Sequence, residues 1–163
     1  MPAHSAGLLL HRFRERSTEL LLVHPGGPFW VKRDEGAWSI PKGEIGEGEE
    51  PLAVALREFE EELGTRPPTA AYTPLGSVRQ AGGKVVHAWT TPGELDVAAI
   101  RSNTFDLEWP PRSGKIVSFP EVDRAAWFDL VSARRQLLAG QRPLVDRVIA
   151  VLSGGQDPTT SAC

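Results

Sequence analysis

The stretch Gly43-Glu44-Ile45-Gly46-Glu47-Gly48-Glu49-Glu50-Pro51-Leu52-Ala53-Val54-Ala55-Leu56-Arg57-Glu58-Phe59-Glu60-Glu61-Glu62-Leu63-Gly64-Thr65 decides how this chain is read. It opens as a glycine-rich loop, residues 43–48, where backbone can approach a ligand that side chains would block. Glu49-Glu50-Pro51 then marks a helix start. Proline stands in the first turn, where its missing N–H costs nothing, and the acids face the positive end of the dipole. Gly64, followed by Pro67-Pro68, is the matching stop. At about 100° per residue, Leu52, Ala55, Leu56, Phe59 and Leu63 share one stripe, the expected buried face. Glu58, Glu61 and Glu62 are three and four residues apart and stack along one flank of that stripe.

Like charges on neighbouring turns repel, so this flank is a poor way to stabilise a helix on its own. A divalent cation removes the objection. Hard ions such as Mg²⁺ or Mn²⁺ take carboxylate oxygens and keep positions for water and phosphate. By position Glu61 and Glu62 are the best ligands. A solvated acidic face is the competing reading of any isolated E-x-x-E-E, and the glycine-rich loop directly upstream argues against it. That loop contains neither G-x-G-x-x-G nor G-x4-G-K-[ST], so it is not a dinucleotide fingerprint or a Walker A loop.

The spacing Gly43, five residues, Glu49, seven residues, Arg57-Glu58-Phe59-Glu60-Glu61-Glu62-Leu63-Gly64-Thr65 resembles the Nudix hydrolase signature, G-x5-E-x7-R-E-U-x-E-E-x-G-U with U aliphatic. Every glycine, glutamate and arginine of the pattern is present, with Phe59 and Thr65 at the aliphatic positions. The resemblance implies an α/β fold, the family's α/β/α sandwich with a mixed β-sheet. It also implies a metal-dependent pyrophosphohydrolase cleaving a nucleoside diphosphate linked to a further moiety. Carried over by position, the Gly43 carbonyl and the carboxylates of Glu58, Glu61 and Glu62 would bind Mg²⁺, or alternatively Mn²⁺. Glu58 would also be the general base, Arg57 would orient a glutamate, and Glu49 would steady the loop. For the additional acid that relatives recruit from outside the box, Glu121 stands six residues before Trp127-Phe128, with Glu108 second.

The lead Trp38-Ser39-Ile40-Pro41-Lys42-Gly43 looks most like the nucleoside-polyphosphate and diadenosine-polyphosphate branch. The tyrosine that this branch often carries downstream of the box is absent, since the only tyrosine is Tyr72. The proline typical of ADP-ribose hydrolases is missing too. NTPs, dinucleoside polyphosphates and nucleotide sugars are therefore all open as substrates. Lys42 and Lys32 are candidates to reach a polyphosphate, and Trp109 and Arg112 to stack a base and meet a phosphate; Trp30 and Trp38 read as core. A Nudix-fold nucleotide sensor without turnover is the alternative, although such modules tend to lose box glutamates.

The rest of the chain fits one domain, residues 1–152, followed by a small polar tail over 153–163 expected to be flexible. The 163 residues are 40% hydrophobic and 24% charged, ordinary for a globular protein. A net charge of −3 and a pI near 5.8 argue against a general nucleic-acid binder. No apolar run has membrane-spanning length, no signal-peptide pattern is seen, and the lone Cys163 cannot form an internal disulfide. Those features suit the cytoplasm; monomer and homodimer both remain open. Strands are expected over 6–13 and 19–24, 29–32 and 37–40, 75–80 and 84–90 around Ala81-Gly82-Gly83, 104–109 and 115–119. Helices are expected over 130–139 and 144–152. The four histidines show no metal-ligand spacing.

Overall fold

The computed structural model describes residues 2–154. Its centre is β1 (His4–Arg14), whose run Ala6 to Leu10 is buried on both sides because each sheet face is covered. A tight turn through Glu15 and Arg16, both at positive φ, returns the chain as β2 (Ser17–Pro25), antiparallel to β1 from His11↔Leu20 to Arg14↔Ser17. Beyond that register the two strands part, and residues 39–44 wedge between them. Ser39 exchanges backbone hydrogen bonds with Val23, and β3 (Lys42–Glu44) pairs with Ser5–Gly7 of β1. This fork places the glycine-rich loop at the middle of the sheet.

After α1 (Pro51–Leu63) come β4 (Thr73–Arg79) and β5 (Val85–Pro92), joined through residues 81–83; β5 lies parallel to β1. A separate hairpin, β6 (Thr104–Glu108) and β7 (Ile116–Pro120), leads to β8 (Val122–Asp129), which pairs with β2 and closes the sheet order β4-β5-β1-β2-β8. α2 (Leu130–Gln136) and α3 (Pro143–Leu152) complete the described chain. Leu8, Leu10 and Leu21 pack under α1, while Leu9, Leu20 and Leu22 face α2 and α3. The result is an α/β/α sandwich with a mixed sheet. No helix among the described residues is long and apolar enough to cross a membrane.

Several local expectations are corrected. Residues 29–32 form turns instead of a strand, with Trp30 N–H bonded to Gly27 C=O and Arg33 N–H to Trp30 C=O. β8 has no counterpart among the expected strands, because Asp123-Arg124-Ala125-Ala126 lacks the β-branched residues that mark a strand. α2 stops at Gln136, not at Ala139, since Leu137 turns extended to pair with Trp38. The buried face of α1 includes Val54 and leaves Leu52 and Leu56 only partly covered. That rotation turns the Val54–Glu58–Glu62 row toward the sheet. Of the expected tail, residues 155–163 lie outside the described residues.

Candidate active site

The helix brings its acids to the fork of the sheet. Glu50 caps α1 by accepting from Ala53 N–H at 2.9 Å, Pro51 fills the first turn, and Gly64 closes the helix at φ 76 with its N–H on Glu60 C=O. Glu49 accepts from Gly46 N–H at 2.7 Å and from Arg57, tying loop to helix; these bonds hold its carboxyl below the usual range. Arg57 also lies 3.7 Å from Glu58 and 3.9 Å from Glu61. Gly43 faces the Glu58 carboxylate so closely that any Cβ there would occupy its space.

Glu58, Glu62 and Glu121 each direct a carboxylate oxygen into one site, the three atoms within 4.8 Å of one another. Glu62 Oε2 is buried without a hydrogen-bond partner. Burial raises its carboxyl to about 8, opposed by the Lys42 ammonium and reinforced by Glu58 and Glu121. Burial, then the like charge of Glu61, also raises Glu58 and Glu121. Lys42 is lowered, chiefly by burial and then by Lys84. An all-oxygen set holding an orphaned buried carboxylate oxygen, beside a glycine that keeps the approach open, fits a hard divalent cation.

Glu61 stands outside this trio, on the rim, where its backbone carbonyl accepts from Asn103 N–H at 2.8 Å. Glu121 reaches the trio because its backbone is held at both ends: its N–H bonds Asn103 C=O at 2.8 Å and its C=O accepts from Gly26 N–H at 2.9 Å. Glu108 is elsewhere, accepting from Arg112 N–H in the β6–β7 turn. Trp109 packs edge-on against Phe29, with ring centroids 5.4 Å apart, and Arg112 and Lys32 are exposed.

A cavity of about 240 Å³ adjoins the carboxylates, lined in part by Trp30, Ser39, Lys42, Gln80, Val122 and Leu138. Trp38 is buried, as expected. Trp30 is not: it is partly exposed and forms one wall of the cavity. The Gly26-Gly27-Pro28 turn just before Trp30 is the signal that could have placed it on a loop. Gln80 and Gln141 carry no comparable signal.

Comparison with known proteins follows the same lines. The family profile described as NUDIX domain matches residues 1–148. A relative named RNA pyrophosphohydrolase, from Rhodospirillum rubrum, is 27% identical over 146 residues, covering 83% of this chain and 84% of its own. The solved Ap4A hydrolase of C. elegans, as a binary complex, superposes with a TM-score of 0.66 at 21% identity, covering 93% of this chain and 98% of its own. The NUDIX domain of Shewanella oneidensis NrtR, complexed with ADP ribose, gives 0.63 at 18% identity, covering 93% and 89%. With a complete box folded at the fork of its sheet and a family match over nearly its whole length, the chain belongs to the Nudix family and is a hydrolase of pyrophosphate bonds.

Proposed function

We propose that the protein is a divalent-metal-dependent pyrophosphohydrolase acting on a nucleoside diphosphate linked to a further group, with water as the nucleophile. The observation that carries this reading is a buried, unpartnered oxygen on Glu62, whose carboxylate clusters with those of Glu58 and Glu121 through ligand atoms within 4.8 Å of one another. Glu58, Glu62 and Glu121 would hold Mg²⁺, with Mn²⁺ second, and the Gly43 carbonyl and Glu61 would complete the rim. When bound, such an ion neutralises diphosphate oxygens and lowers the pKa of a coordinated water. Glu58, raised by burial and by Glu61, is the group to accept the proton of the attacking water. Arg57 holds Glu49, and through it the loop, so that Gly43 stays against Glu58.

Lys42, which lines the cavity beside Glu62 and Glu121, would meet a phosphate oxygen. The nucleoside would lie toward Trp30 and Gln80, in preference to Lys32, Trp109 and Arg112, which stand outside that cavity. The products would be a nucleotide and a phosphorylated second group. The reading sets the enzyme in the cytoplasm, which the lone Cys163 suits. The test is a screen of NTPs, dinucleoside polyphosphates and nucleotide sugars with Mg²⁺, Mn²⁺ or a chelator, reading phosphate after a coupled phosphatase. Pyrophosphate-bearing RNA joins the screen because of the relative's name. Metal-dependent release from one class is expected. Binding without release from any would replace the enzyme with a nucleotide sensor.

A further inference from the structure

We infer that the cavity beside the carboxylates reads the edge of a nucleobase and selects a base presenting a keto oxygen at purine position 6 or pyrimidine position 4 over one presenting an exocyclic amine there. Guanine, hypoxanthine and uracil are of the first kind, adenine and cytosine of the second. This rests on the pyrophosphohydrolase reading and adds to it the class of base.

Three amides in series set the polarity. The Ile40 backbone N–H can only donate, and the atom facing it at 3.0 Å is Gln141 Oε1. The other end of that side chain is therefore Nε2, a donor, which faces Ser39 Oγ at 2.9 Å and the Gln80 side chain at 2.7 Å. Gln80 must answer with Oε1. Its NH₂ group donates to no acceptor among the described residues, and Gln80 is one of the residues that line the cavity. Gln141 is fully buried at 0% exposure and cannot turn over without orphaning the Ile40 N–H, while Gln80 turned over would set its NH₂ against that of Gln141.

The neighbouring polar groups are already spent. Ser39 Oγ donates to Ile40 C=O at 2.7 Å, and Val23 and Ser39 satisfy each other's backbones. Leu138 donates to Trp38 C=O at 2.8 Å and accepts from Gln141 N–H at 2.9 Å. Lys42, Glu62 and Glu121 belong to the phosphate end. What remains among the described residues is the Gln80 amide and the Trp30 indole N–H, both donors, with the Trp30 ring as an aromatic wall and the Arg33 guanidinium 5.4 Å from its centroid. The volume of about 240 Å³ leaves room for a single heterocycle. A keto oxygen satisfies the Gln80 amide, whereas an exocyclic amine in that place sets donor against donor.

The test compares kcat/KM for ITP and GTP with that for ATP, and inhibition by IMP with that by AMP, in the wild type, Gln80→Leu and Gln80→Glu. ITP excludes the 2-amino group of guanine as the cause. The wild type is expected to favour ITP and GTP by about tenfold or more, the effect of one hydrogen bond against one unsatisfied donor. Gln80→Leu should bring the ratio toward one. Gln80→Glu, whose second oxygen accepts where the amide donated, should turn it toward ATP. Melting curves confirm that each variant is folded. A wild type blind to the base, or ratios unmoved in both variants, overturns the inference while leaving the pyrophosphohydrolase reading intact. Failure to cleave or bind any nucleotide overturns both.

Discussion

At the first turn of α1, Glu49 and Glu50 spend their oxygens inside the protein, on Gly46 N–H, Arg57 and Ala53 N–H. Two to three turns later, Glu58 and Glu62 face the sheet with Glu121, and an oxygen of Glu62 is buried with nothing to bond. One helix thus treats its acids in opposite ways. Glu49 is held in its charged form by its partners, whereas burial, reinforced by Glu58 and Glu121 against Lys42, pushes Glu62 to about 8. Partnered acids build the loop and helix start; the unpartnered one marks where a ligand belongs.

The contrast breaks most visibly at Glu62. Glu62→Gln keeps size and shape but removes the charge, and turnover should fall by more than the roughly 10–100-fold that outer partners of a metal site cost. The metal-free protein should be level or more stable at neutral pH, because a buried carboxyl that must take up a proton on folding has gone. Wild-type turnover in this variant would remove Glu62 from the site. Next in size, Glu121→Gln should slow turnover about 10–100-fold, while Glu108→Gln, bound up in its own hairpin turn, should change it little. A larger loss at Glu108 would reverse their order. Glu49→Gln frees Arg57 and loosens the loop, which should lower turnover by less than about tenfold through a misplaced Gly43. Smallest of all, Glu50→Ala should cost about 1 kcal/mol of stability as a lost cap and leave kcat unchanged, as read from melting and steady-state rates.

The helix and its acids were legible because each signal is local: a cap, a proline, a stop and carboxylates at helical spacing. The rotation of α1 was less so. Burying Val54 in place of Leu56 is decided by where β1 and β5 meet the helix, and it is this rotation that sends Glu58 and Glu62 inward. Glu121 is expected only by resemblance, from its place before Trp127-Phe128, and the backbone bonds that bring it beside Glu58 and Glu62 join residues far apart in sequence. The cavity was hidden for the same reason. Trp30 looks like core until loop 27–36 is folded, and the amide chain through Gln80 and Gln141 spans 61 residues with no periodicity to announce it.

The central claim, that the trio is built for a cation and Glu62 bears a proton without one, predicts a pH signature. Between its ordinary 4.5 and about 8, the folded metal-free protein keeps a proton that the unfolded chain releases. Its stability should therefore fall as pH rises through that window and level off above it. The most direct measurement is calorimetric titration of Mg²⁺ into the metal-free protein at pH 7, in two buffers of different ionisation enthalpy. Saturable binding with proton release, the release absent in Glu62→Gln, is the predicted result. No binding, or binding with the same proton release in the variant, would contradict the account.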